Sequence, residues 1–136
     1  MYLPLAVTDF TLQEMLRVLR PGGRVRLVVP DGELYLTRYV NLLCDRSAAP
    51  LPYAGGDAYQ GLYSPMLSVN RIFREHGHLF IYDFETLRLL LEKNGFADVR
   101  KQAYRSGLDP RLLRDTEHRA VESLYVEAAK PGPGSP

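Results

Sequence analysis

The 136 residues suffice for one domain with a real core, and 46% apolar with 24% charged residues is ordinary for a soluble globular chain. A formal net charge of +1 argues against a surface built chiefly for nucleic-acid phosphates, and the single cysteine, Cys44, excludes an internal disulfide framework and fits a reducing compartment. No apolar run approaches a membrane span and the N-terminus lacks the basic-then-apolar order of a signal peptide, so a cytoplasmic protein without membrane or nucleic-acid partners is expected.

Thr8 to Arg20 reads as an amphipathic helix, with Leu12, Met15, Leu16 and Leu19 on one face, Thr8 or Asp9 as cap, and Arg17 and Arg20 in the last turn. Pro21 stops it and Gly22-Gly23 permits the reversal. "RVRLVV" follows as a strand whose apolar run, Leu27-Val28-Val29, suits the interior of a parallel sheet. Asp31 to Cys44 is a second helix, with Leu34, Tyr35, Tyr39, Leu42 and Leu43 as its apolar positions and Cys44 read as a small core residue.

Residues 45–68 mix Pro, Gly and Tyr without a period and read as an irregular insertion. Tyr53, Tyr59 and Tyr63, with Tyr39 upstream, make it too aromatic for disorder. "YDFETLRLLLEKNGF" is the clearest helix, capped by Asp83, striped by Leu87, Leu90 and Leu91, and ended by Asn94-Gly95. Phe96 then packs back as the strand "ADVRKQAY" begins. Residues 105–120 read as a polar loop with a short helix. "ESLYVEAAK" closes as a strand alternating Leu124, Val126 and Ala128 with Tyr125 and Glu127, and the tail 131–136 is expected to fray. The order is helix, strand, long insertion, helix, strand, strand.

That order and its motifs resemble the trailing part of class I S-adenosylmethionine-dependent methyltransferases. "EMLRVLRPGGRVRLVVPD" resembles the helix and fifth strand of that family, "HGHLFIYDFETLRLLLEKNGFADVR" its helix and sixth strand, and "ESLYVEAAKP" its closing seventh strand. The resemblance is narrowest to predicted methyltransferases of bacterial surface-polysaccharide clusters. It implies an α/β fold, the C-terminal portion of a Rossmann-like sheet ordered five, seven, six, with the last strand antiparallel between its neighbours. It also implies S-adenosylmethionine as cofactor and a small molecule or glycan precursor as methyl acceptor.

The family's cofactor grip is a glycine-rich turn after strand one and an acid ending strand two, and neither is found. Gly22-Gly23 follows a helix, and Gly55-Gly56 lies in the irregular stretch. Residues 1–130 are therefore expected to be a truncated domain that binds the cofactor poorly. The different-class reading is a non-catalytic interaction module that self-associates.

Ligands of open α/β sheets lie beyond the carboxyl ends of the strands, which brings forward Asp31. Asp31 either meets an acceptor or caps the next helix, and the cap is preferred. In "REHGHLFIYD", His76 and His78 either contribute to an acceptor pocket or brace the turn before Asp83, and Tyr82 joins them as a substrate-binding candidate. Two histidines of that spacing without further ligands do not make a convincing metal site. Arg74, with Arg71, either meets an anionic group or lies on a solvated helix face, the latter preferred. Without a neighbouring strand, Val25–Val29 would present an open edge, and one sheet face would be bare. A homodimer through either is expected, unless residues 32–68 fold across the gap.

Overall fold

The computed structural model describes residues 5–52, 62–74 and 80–132. Helix α1 (Leu5–Val18) buries Leu12 fully and packs Met15, Leu16 and Leu19 against the core, the one-sided spacing expected of it. It begins before its expected caps, because Thr8 and Asp9 are recruited by tertiary contacts instead. The buried Thr8 hydroxyl shares a 2.9 Å hydrogen bond with Tyr82 Oη, and Asp9 accepts from Lys93 Nζ at 2.9 Å and Asn94 Nδ2 at 2.8 Å. At the turn after α1, Gly22 takes φ +80° and its N–H donates to Lys130 O at 2.8 Å.

Strands β1 (Arg24–Pro30), β2 (Ala97–Gln102) and β3 (Ser123–Ala129) form one sheet in the order β1-β3-β2, with β3 antiparallel to both neighbours. The last strand is thus central, as the resemblance implies. The parallel setting expected around β1 is corrected: β1 is an edge strand with an antiparallel neighbour, and Val28 is 41% exposed while Leu27 and Val29 enter the core. On that core face α1 and α4 (Phe84–Lys93) cover Leu27, Val29, Leu124, Val126 and Ala128. Helix α4 follows its sequence closely. Asp83 accepts from the Thr86 N–H at 2.8 Å, Leu87 and Leu91 are buried, and Gly95 ends it at φ +96°.

Helix α2 (Gly32–Cys44) carries a second apolar cluster, in which Tyr35 packs with Leu51, Val69 and Ile72. Val69 and Ile72 belong to α3 (Pro65–Arg74), which corrects the reading of 45–68 as wholly irregular: its last residues are helical. Pro65 supplies a favourable first-turn residue, and burial of Ser68, Val69 and Ile72 at helical spacing holds the helix in place. Cys44 is exposed at the end of α2 rather than in the core, and Leu43 beside it is exposed as well. Tyr53, Tyr59 and the tail from residue 133 lie outside the described residues.

The opposite sheet face corrects the expectation that one face would be bare. Tyr125 and Glu127 are as buried as the residues that alternate with them, and the face is not bare. Residues 103–116 lie across it, held by Arg26. The Arg26 side chain is 3% exposed and donates to Asp115 Oδ2 at 2.6 Å and Oδ1 at 3.0 Å, to Glu127 Oε2 at 2.6 Å, and to the carbonyls of Ala103 and Ser106. Its guanidinium stacks 5.0 Å from the Tyr125 ring centre. The loop answers in kind: the Arg105 N–H donates to Asp115 and the Leu108 N–H to Glu127. Burial pushes the Asp115 carboxyl up, but the Arg26 hydrogen bonds, the Arg105 N–H and the charge of Arg26 hold it below the usual range. Gly107 is required, since a Cβ there would stand 1.9 Å from Glu127 Oε2.

Removing one member of such a group strands buried charge. Arg26→Met is expected to cost about 3–5 kcal/mol in urea denaturation, and adding Asp115→Asn and Glu127→Gln should recover part of that loss. A cost near zero for Arg26→Met would show that the clamp does not hold the loop.

Candidate functional site

The carboxyl end of β1 runs straight into α2, and Asp31 makes the junction. Its Oδ1 accepts from the Glu33 N–H at 3.1 Å and the Leu34 N–H at 3.4 Å, so the capping role preferred from the sequence is the one seen. Residues 80–83 come alongside. Asp31 and Tyr82 form a parallel bridge, and the Gly32 N–H donates to Tyr82 O at 2.9 Å. The approach leaves no room for a side chain: a Cβ on Gly32 would lie 2.6 Å from Ile81 Cγ2 and 3.1 Å from Tyr82 O.

Tyr82 leads into Asp83, which caps α4. Two helices therefore start side by side at this end of the sheet, and α3 closes the third side. Between them lies a cleft of about 540 Å³, a size suited to a small organic molecule. Leu36, Val69, Ile72, Phe80 and Ile81 form its apolar wall, and Glu33, Thr37, Asp83 and Thr86 its polar rim. The side-chain hydroxyl and N–H of Thr86 hold the Asp83 carboxyl below the usual range, against a smaller opposing effect of burial. At neutral pH Asp83 is thus an ionised hydrogen-bond acceptor and a weak base. The rim can bind hydroxyl or ammonium groups while the wall covers an apolar or ring face.

The structure brings two of the sequence candidates, Asp31 and Tyr82, into direct contact. Tyr82 is 2% exposed and its hydroxyl is held by Thr8, so it forms the floor of the cleft and is not a free polar contact. His76, His78 and the Arg74 side chain lie outside the described residues. Sequence reasoning did not place Glu33, Thr37 and Thr86 in the site, nor α3 as its wall. Glu33 and Thr86 carried a signal, each lying within three residues of a capping aspartate. A second cleft of about 460 Å³, between the end of α2 and the start of α3, has Arg46 as its one charged lining residue among those described.

The residues described do not fit S-adenosylmethionine. Gly22 is used by the helix-to-strand turn after α1, whereas the family's cofactor turn follows a strand, and the Asp31 carboxylate is engaged as the cap of α2. No described helix is long and apolar enough to cross a membrane. Compared with known proteins, the chain matches no family model, no curated protein and no solved structure.

Because the folded Asp83 carboxyl is depressed, its contribution is present above the unfolded value near 3.9 and is lost as pH falls through the lower folded value. Asp83→Ala should cost about 1 kcal/mol at neutral pH, and the difference from wild type should shrink below about pH 4. Urea titrations across pH measure both. A difference independent of pH would remove the carboxylate from the account.

Proposed function

We propose that the chain is the trailing portion of a class I methyltransferase-type domain, and that its cleft receives the methyl acceptor, a small molecule or glycan precursor. The observation that carries this reading is strand order: β3, last in sequence, lies antiparallel between β1 and β2, the arrangement the family resemblance calls for. The cleft supports it further by opening beyond the carboxyl end of β1, where open α/β sheets take their ligands. Glu33, Thr37 and Asp83 would accept hydrogen bonds from acceptor hydroxyls, and the apolar wall from Leu36 to Ile81 would cover a sugar ring or an aglycone. Positioning of this kind is the main protein contribution to an in-line group transfer.

The reading predicts two different binding results. Titration of the labelled chain with nucleotide sugars and other hydroxylated acceptors should shift the amides of Gly32, Thr37, Ile81 and Thr86. Calorimetry with S-adenosylmethionine should show no heat. Micromolar binding of S-adenosylmethionine by this chain would overturn the division of labour, and cleft amides silent to every acceptor would overturn the site.

A further inference from the structure

We infer that Arg24 is the receptor of an oxyanion site: the Nε–Nη2 edge of its guanidinium takes a phosphate or carboxylate group, with Arg100 and Arg111 beside it. The inference does not rest on the methyl-transfer reading, because Arg24 lies at the start of β1 and the cleft lies beyond its end. It begins from a comparison within one strand. Arg24 and Arg26 stand two residues apart and so face the same side of the sheet. Arg26 uses its guanidinium all round. Its Nε and Nη2 grip Asp115 at 3.0 and 2.6 Å, its Nη1 meets Glu127 at 2.6 Å, and Nη1 and Nη2 each reach a carbonyl as well. Arg24 uses Nη1 alone, on Asp98 at 3.1 Å. Its Nε and Nη2 are covered from solvent and have no hydrogen-bond partner. They form the same edge by which Arg26 holds a carboxylate. Two parallel N–H groups on a rigid fork match the paired oxygens of a carboxylate or phosphate.

The acids near Arg24 do not supply those oxygens. Asp98 gives one oxygen to Arg24 and the other to Arg100 at 2.7 Å, and the Arg100 hydrogen bond is the largest cause holding its carboxyl below the usual range. Asp109 lies close enough to feel the Arg24 charge but is turned to Arg111, whose backbone N–H, Nε and Nη2 occupy both of its oxygens. The cluster therefore holds three guanidiniums and two carboxylates. The cation left short of a partner is the most buried, since the Arg24 side chain is 17% exposed against 51% for Arg100 and 89% for Arg111.

A buried ionic donor without an acceptor is unfavourable, more so than a neutral one. An arriving oxyanion thus gains at Arg24 what an exposed arginine could not offer. What lies beside β1 does not change this. The Arg24 side chain crosses β3 to reach Asp98 on β2, away from the outer edge of its own strand. The way in is the Asp109–Arg111 pair, a surface ion pair within one turn, and such pairs hold weakly. Opening it brings Arg111 to the ligand as a second cation.

Titration of the full chain with inorganic phosphate and, separately, with acetate tests the site through the Nε–H resonance of Arg24, at constant ionic strength. At least one of the two anions should shift that resonance saturably in the millimolar range, and the stronger of them gives the acidic group of the ligand. Chloride at the same ionic strength should leave it in place. Arg24→Lys keeps the charge and a partner for Asp98 but removes the fork, and should weaken the binding at least about tenfold. An Arg24 Nε–H that answers to neither anion overturns the inference. So does one that chloride moves equally, or an Arg24→Lys chain that binds as tightly as the wild type. The first two results are read on the unaltered protein, so they decide the matter even where the variant fails to fold.

Discussion

A central strand in a chain this short must be covered on both faces, and the buried ion group around Arg26 accomplishes the second covering. Helices α1 and α4 shield one face of β3 with leucines, an arrangement any amphipathic pair could provide. The other face has no α-helix among the described residues. It has the loop of residues 103–116, whose Tyr104 ring meets Tyr125 at 6.2 Å between centroids. What presses that loop onto the sheet is one guanidinium that finds two carboxylates and two carbonyls at once. Because burial makes unpaired ions costly, the group is closer to all-or-none than a hydrophobic contact of equal area. Losing it would open the sheet beneath β3 and, through the β3 register, disturb β1, whose carboxyl end builds the cleft.

The cleft itself is a product of backbone placement more than of side-chain choice. Two capping aspartates, one on each helix, define where α2 and α4 start. Close contact between Gly32 and residues 81–82 fixes how far apart those starts lie. Tyr82 ties this corner to α1 through the Thr8 hydroxyl, so the cleft floor is braced from the opposite side of the core. The acceptor reading draws on this corner.

Much of this was legible in the residues. Asp83, the leucine stripe of α4 and its Asn94-Gly95 stop are local signals, and local signals survive folding when tertiary contacts agree with them. The strand order was legible only through the family resemblance. Thr8 shows where local reading fails: it looks like a cap, but its hydroxyl is worth more to Tyr82, seventy-odd residues away. Glu127 fails in the same way. An acid in an alternating strand reads as solvent-facing, and only Arg26, on another strand, makes its burial tolerable. Helix α3 was hidden because the Pro- and Gly-rich stretch before it masks a short run of buried positions that need Tyr35 and Leu51 to matter.

The missing Cβ at Gly32 carries a consequence for how the cleft can change over time. Where main chain touches main chain, the opening has a dimension that mutational drift cannot easily widen or narrow. Its lining, by contrast, hangs from α2, α3 and the 80–83 segment as replaceable upholstery on a fixed frame. A protein built that way can exchange one occupant for another by swapping a Leu36 or an Ile72, while the doorway stays the same size.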